Sequence, residues 1–316
     1  MYLSFYGLRE APFELTSNPE FLFYTAQHRE AYANLEYGLM TGRAMTLLIG
    51  DAGTGKTTLL RAALKSESCR GVNAVFIDNP RLTRAEFVQT VANRLELGSS
   101  AGESKTSLLA ALEPTLLERR NRGQVTALVV DEAQTLTNEL LEEIRLLANI
   151  ETETHKLLPV VLAGQPQLGD RLNEPALQQL KQRVALRCQI GPLTLEDTAA
   201  YIASRLRKAG GDTAKLFTRD AVRLIYKASN GIPRTINVMC ENALLNGFIL
   251  GKRPVDRETV VEVCKDFDLC GSDAELIVET TVKRASAERE TDNVTDRTLF
   301  EKASRRRGLF AMLGLG

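Results

Sequence analysis

The chain has 316 residues, 44% hydrophobic and 25% charged, an ordinary composition for a soluble globular protein of one large domain or two smaller ones. Lysine plus arginine equals aspartate plus glutamate at 40 each, so no global charge draws it to nucleic acid or an anionic bilayer, and any such partner must be met by a local patch. Cys69, Cys188, Cys240, Cys264 and Cys270 lack CxxC spacing, which fits reduced thiols, and neither a signal peptide nor a run of about 18 apolar residues is present. The expectation is therefore a cytoplasmic protein, not secreted through a leader and not integral to a membrane.

From about residue 28 to 190, apolar runs bounded by turn residues alternate with helical periodicity, the pattern of an α/β doubly wound parallel sheet with helices on both faces. The first strand, Met45 to Ile49, leads into Gly50, Asp51, Ala52, Gly53, Thr54, Gly55, Lys56 and Thr57, a complete GxxxxGK[ST], with Thr58 next in the helix that follows. Glycines there let the backbone turn tightly and aim its N–H groups at phosphate oxygens, and the helix N-terminus adds its positive dipole end. Lys56 is placed to reach the β and γ phosphates of ATP, and the Thr57 hydroxyl to coordinate Mg²⁺. The second strand, Val72 to Ile77, precedes Asn79, which either hydrogen-bonds Glu132 or is an ordinary turn residue before proline. Gly98 to Thr106, small and polar, reads as a surface loop.

The third strand, Val125 to Val130, ends in Asp131 and Glu132. A buried parallel strand is apolar on both faces, so two carboxylates at its carboxyl end emerge at the sheet edge where ligands bind. Asp131 is the candidate for the Mg²⁺ shell, and Glu132 for orienting and deprotonating the attacking water. The fourth strand, Leu158 to Ala163, places Gln165 at its end, where it either polarises that water and senses the γ phosphate or forms a turn. Near the fifth strand, Leu186 to Ile190, Arg183 and Arg187 are candidates to project toward a neighbouring subunit's γ phosphate as an arginine finger, against the alternative of solvated surface arginine.

After Pro192 only helices are predicted. Thr194 with Asp197 opens one whose apolar face is Ala199, Ile202, Ala203 and Leu206, closed by Gly210 and Gly211. Thr218 caps a second, carrying Ala221, Leu224, Ile225 and Ala228 and stopped by Gly231. Pro233 opens a third with Ile236, Met239, Cys240, Ala243 and Leu244, and Asp256 caps a fourth with Val260, Val263, Cys264 and Phe267 on one face. Arg234 sits in the first turn of the third helix, where the dipole disfavours a cation, so a local anion such as the ATP phosphates accounts for it. The expected organisation is residues 1–191 as the nucleotide-binding domain, 192–270 as a helical lid, and 271–316 as a flexible tail. The tail's last segment, with Arg305, Arg306 and Arg307 ahead of Leu309, Phe310, Met312, Leu313 and Leu315, is a candidate for peripheral membrane contact, a protein-docking peptide or a frayed end.

The stretches FYGLREAPFELTSNPEFLF, GDAGTGKTTLL, LVVDEAQTL, LEEIRLLANIET, VVLAGQPQL, LKQRVALR and GIPRTINVMCENALL, in order over about residues 1 to 268, resemble the general secretion pathway protein A group of bacterial AAA+ ATPases. The resemblance implies a P-loop AAA+ domain followed by a small all-α lid. It makes Lys56 and Thr57 Walker A residues, Asp131 and Glu132 Walker B residues, Gln165 sensor 1, Arg183 the arginine-finger region and Arg234 sensor 2. It also implies that Phe5 to Phe13 and the helix from His28 enclose the adenine, although His28 equally reads as a packed or exposed histidine and His155 as a surface one. Relatives of this kind act as homo-oligomeric rings or filaments on secretion, pilus or polysaccharide-export systems, from the cytoplasm or at the inner membrane. The membrane-spanning helix and peptidoglycan-binding domain of the group are not found in this chain. Because transposon target-selection ATPases resemble the same core, a DNA-bound regulator of transposition is the competing expectation. Zero net charge and the lack of a helix-turn-helix weigh against nucleic acid.

Overall fold

The computed structural model describes residues 1–16, 18–42, 45–78, 81–212 and 215–269. The chain divides between Val260 and Val261, inside the helix Arg257–Asp266, into two units, and the architecture below is that of the first together with the remainder of that helix. Five strands, β1 (Met45–Gly50), β2 (Val72–Ile77), β3 (Val125–Val130), β4 (Val160–Gly164) and β5 (Val184–Ile190), form one sheet in the order β2-β3-β4-β1-β5. Every pairing is parallel, and the short helices α1 (Tyr2–Tyr6), α7 (Pro166–Arg171) and α8 (Gln178–Lys181) accompany the longer ones named below. The fourth and fifth strands start two residues later and two earlier, respectively, than the sequence suggests.

Side chains that alternate along the central strands feed two separate cores. Met45, Leu47 and Ile49 of β1, with Leu128 and Val130 of β3 and Val160 and Leu162 of β4, bury against α4 (Arg84–Arg94), α5 (Lys105–Asn121) and α6 (Asn138–Leu147). Leu48, Ala127, Val129, Val161 and Ala163 face the other way, onto α2 (Ala26–Thr41) and α3 (Lys56–Leu64), which contribute Leu35, Leu39, Leu59 and Leu60. Burial on both faces is why these strands carry unbroken apolar runs. Side-chain oxygens of Thr25, Thr83, Ser104 and Thr137 accept backbone N–H groups in the first turns of α2, α4, α5 and α6, and with Glu86 the Thr83 cap is a full capping box.

The stretch expected to be a loop before α5 is more ordered than its polarity implies. Ser99–Gly102 forms a 3₁₀ turn that buries Ala101 between α4 and α5, and α5 begins at Lys105. The turn lies against α4, where a Cβ on Gly102 would stand in ordinary contact, 3.5 Å from Gln89.

Beyond β5 the chain is helical, with α9 (Leu195–Lys208), α10 (Arg219–Ser229), α11 (Pro233–Ile249) and α12 (Arg257–Asp266). Thr194, Thr218 and Asp256 hold the first turns of α9, α10 and α12 as the sequence implies, and α11 buries the apolar face read for it. Three details differ. The inward face of α9 is Thr198, Tyr201, Ile202, Arg205 and Leu206, while Ala199 is exposed, so this helix turns a tyrosine and an arginine inward. α10 stops one residue early, on Asn230 in the left-handed conformation. Phe267 follows α12 and is 45% exposed.

Candidate nucleotide-binding site

Strand order places the chemistry. β4 lies between β1 and β3, and all three end at the same edge, with Ile49 opposite Gly164 and Val130 opposite Leu162. The loop after β1, the carboxylates after β3 and Gln165 after β4 therefore emerge side by side, at the carboxyl edge where open α/β sheets take ligands.

Between β1 and α3 the chain turns through Gly53 (φ +82°) and Gly55 (φ +101°), left-handed conformations that glycine adopts without strain. Gly53 is also squeezed, because a Cβ there would stand 2.8 Å from Arg234 Cβ. Lys56, 4% exposed, folds back over this loop and donates from Nζ to the carbonyls of Gly50 and Asp51, both at 3.0 Å. Burial pulls its ammonium below the ordinary lysine range, against the opposing influence of the Glu132, Asp131 and Asp51 charges. Thr54 closes the loop through its hydroxyl to the Asp51 carbonyl at 2.8 Å.

The two halves meet where the Thr57 hydroxyl donates to Asp131 Oδ2. Asp131 is 3% exposed, and its Oδ1 accepts the Glu132 N–H at 2.9 Å. Glu132 has φ +52°, a left-handed backbone uncommon outside glycine. Its Oε2 accepts from Gln165 Nε2 at 3.4 Å and from Gln134 Nε2 at 2.5 Å. The hydroxyl and carboxylate oxygens of Thr57 and Asp131 suit a hard cation such as Mg²⁺. Among the described residues no group of three His, Cys, Asp or Glu side chains could hold a metal alone. That donor set fits an ion whose remaining ligands are water and phosphate oxygens.

A cleft of about 240 Å³ opens over the loop, lined by Lys56, Thr57, Thr58 and Glu132 on the sheet side and by Arg234, Asn237, Tyr201 and Arg205 from the lid helices. Arg234 is exposed, and its backbone N–H reaches the Gly53 carbonyl at 3.2 Å, which joins α11 to the loop. The N-terminal wall is Leu15, Thr16, Asn18, Phe21, Leu22 and Phe23 rather than Phe5 to Phe13. Phe13 and Tyr6 are core residues, packed on Phe217 and Phe5, whereas Asn18 and Phe21, both partly buried, line the cleft. His28, 3% exposed, joins Thr25 Oγ1 at 2.8 Å to the Thr54 carbonyl at 3.2 Å and so braces the loop from α2.

Arg205, Tyr201, Asn237 and Gln134 are site residues that sequence reading overlooked. Arg205 is 7% exposed and donates to the Pro12 carbonyl and the Tyr201 hydroxyl, both at 2.6 Å, with Phe21 beneath it at 4.9 Å. No carboxylate pairs with it among the described residues, so carbonyl and π-face contacts carry its charge. The available signal was its spacing from Tyr201 and Ile202 on α9, which puts it on the buried stripe.

Arg183 and Arg187 do not line the cleft. Both are exposed on the edge formed by β5, with Arg187 lying over Gly169 of α7 (Pro166–Arg171). His155 is exposed, as read from the sequence. Asn79, Cys270 and the segment 305–316 fall outside the described residues.

Residues 39–172 match the AAA domain family. Over 255 residues, 81% of this chain, the sequence is 38% identical to General secretion pathway protein A of Aeromonas hydrophila, of which it spans 46%. It is 28% identical over 192 residues to Mu-like prophage FluMu DNA transposition protein B of Haemophilus influenzae, covering 59% of this chain and 62% of that one. The chain thus spans about half to three-fifths of the length of these curated relatives. Among solved structures, Cdc6p from Pyrobaculum aerophilum has a TM-score of 0.62 at 18% identity, covering 81% of this chain and 70% of that one. A chain of the Drosophila ORC structure bound to DNA has a TM-score of 0.62 at 21% identity, covering 85% and 67%. At such identities these two speak for the fold. With the phosphate loop and acidic strand end brought together at one sheet edge, the chain has the AAA-type P-loop fold, carries an AAA domain over residues 39–172 and is similar to General secretion pathway protein A over four-fifths of its own length.

Proposed function

We propose that the chain binds and hydrolyses ATP in this cleft. The observation that carries the reading is the hydrogen bond from Thr57 to Asp131, which joins the phosphate loop to the acidic strand end with Lys56 and Glu132 on either side. Backbone N–H groups from Gly50 to Thr58 cradle phosphate, Lys56 leaves the loop carbonyls for the β and γ phosphates, and Glu132 takes the proton of the attacking water. Thr57 and Asp131 would hold Mg²⁺, which would supply neutralisation of the phosphate charge. Gln165 aids in orienting Glu132, and Arg234 reads phosphate from the lid. The working division is a nucleotide-binding domain of residues 1–191, a lid of 192–270 and a tail of 271–316. Lys56→Ala is expected to abolish ATP binding, whereas Glu132→Gln retains binding and loses hydrolysis. Equal loss of nucleotide affinity in both variants rejects these roles.

The work done with ATP, on this reading, is assembly or remodelling of a macromolecular partner in a bacterial secretion, pilus or polysaccharide-export system. The support is the 38% identity to a relative named for the secretion pathway. A homo-oligomeric ring or filament with Arg183 acting between subunits is the matching assembly, supported by the exposure of Arg183, just before the edge strand, and of Arg187 on it, away from their own cleft. The setting is cytoplasmic or peripheral at the inner membrane; among the described residues no helix is long and apolar enough to cross one. A second reading, a DNA-bound regulator of transposition, is favoured by the relative named as a DNA transposition protein. ATP hydrolysis stimulated by duplex DNA and suppressed by salt supports it; indifference to DNA rejects it.

A further inference from the structure

Gln134 lies two residues past Glu132, in the 3₁₀ turn Ala133–Thr135, and both ends of its side-chain amide are occupied. Nε2 donates to Glu132 Oε2 at 2.5 Å, and Oε1 accepts the Gln165 backbone N–H at 3.1 Å. Exchanging the two amide atoms would set an oxygen against the carboxylate and an NH₂ against an N–H, so the network itself fixes the orientation. Gly164 makes room for it, since a Cβ there would stand 2.9 Å from Gln134 Oε1. Arg171 of α7 secures the turn from behind, donating from Nη1 to the carbonyls of Gln134 and Leu136, each at 2.8 Å.

We propose that Gln134 is a positioning residue for hydrolysis, clamping Oε2 of Glu132 so that Oε1 is the oxygen left to take the proton of the attacking water. The inference rests on Glu132 being the base. A glutamate has three rotatable bonds, and the one carboxylate oxygen is held from two directions, by Gln134 and, at 3.4 Å, by Gln165. Because the Gln165 N–H is also tied to Gln134, a movement of the β4 end is transmitted directly to the carboxylate. Asn79, the other candidate to hydrogen-bond Glu132, lies outside the described residues.

The test uses the full chain, with steady-state ATP hydrolysis, binding of a fluorescent ATP analogue and thermal melting as readouts. Gln134→Met preserves side-chain length and removes both hydrogen bonds. It is expected to lower kcat about 10-fold to 100-fold, part of what a general base contributes, with nucleotide affinity unchanged. Gln134→Glu keeps the acceptor for the Gln165 N–H but turns a donor into an oxygen facing the carboxylate, so kcat falls at least as far. In a Glu132→Gln background, Gln134→Met has no further effect on the residual rate, because both changes remove the same function. A kcat within twofold of wild type in either single variant, or the same fold-loss with and without Glu132, overturns the proposal. If Glu132→Gln alone leaves hydrolysis intact, the assignment of the base has failed instead.

Discussion

Replacing Gly53 with alanine probes the contact between the phosphate loop and the lid. Its φ of +82° is left-handed, which costs an L-residue roughly 1–2 kcal/mol. The added methyl would also stand 2.8 Å from Arg234 Cβ and 3.1 Å from Ile232 Cγ2, both on the entry to α11, an overpacking that adds about 1–3 kcal/mol. Gly123 supplies the control, with φ +75° and nothing within 4 Å of an added Cβ, so Gly123→Ala carries the backbone cost alone. Gly53→Ala should therefore be less stable than Gly123→Ala by about 1–3 kcal/mol, or roughly 2–5 °C in Tm for a chain of 316 residues. Thermal and urea denaturation measure the difference. A fluorescent ATP analogue should bind more weakly to Gly53→Ala only, because relief of the clash moves Arg234 from the cleft mouth. Equal destabilisation by the two substitutions would show that α11 does not press on the loop and refute the reasoning.

An arginine finger is worth about 10³-fold or more in rate, so mixing Arg183→Ala with Lys56→Ala subunits should restore activity at shared interfaces; mixed assemblies that form without rescue count against Arg183. Burial lowers the His28 pKa from its ordinary value of 6.5, with the Thr54 carbonyl and the Asp197 charge opposing this only in part. The unfolded chain then binds the proton first, so the His28 contribution to stability is complete above pH 6.5 and declines as pH falls below it toward the folded value. His28→Gln should flatten that acid limb in urea titrations, and an unchanged limb assigns it to other groups. Removal of residues 305–316 should reduce co-sedimentation with anionic vesicles in the presence of ATP; if full-length and truncated proteins bind alike, the segment belongs in a protein interface.

Local chemistry with a fixed address was legible in the amino-acid sequence. GDAGTGKT after an apolar strand encodes its own loop and helix start, and ALVVDE encodes a buried strand ending in carboxylates, since both depend only on neighbours in the chain. The caps Thr194, Thr218 and Asp256 are local in the same sense, each bonding within three residues of itself. Arg205 was different. A charged side chain is read as exposed, and its burial depends on the Pro12 carbonyl and the Phe21 ring, almost two hundred residues away in the chain. The resemblance placed Phe5 to Phe13 around the adenine, yet packing of Phe5 against Phe248 and of Phe13 against Phe217 draws that segment into the core. Strand order is likewise invisible along the chain. Only insertion of β4 between β1 and β3 sets Gln165 beside Glu132, lets Gly164 admit the amide of Gln134, and turns a glutamine that looks like loop filler into the nearest hydrogen-bond donor to the carboxylate.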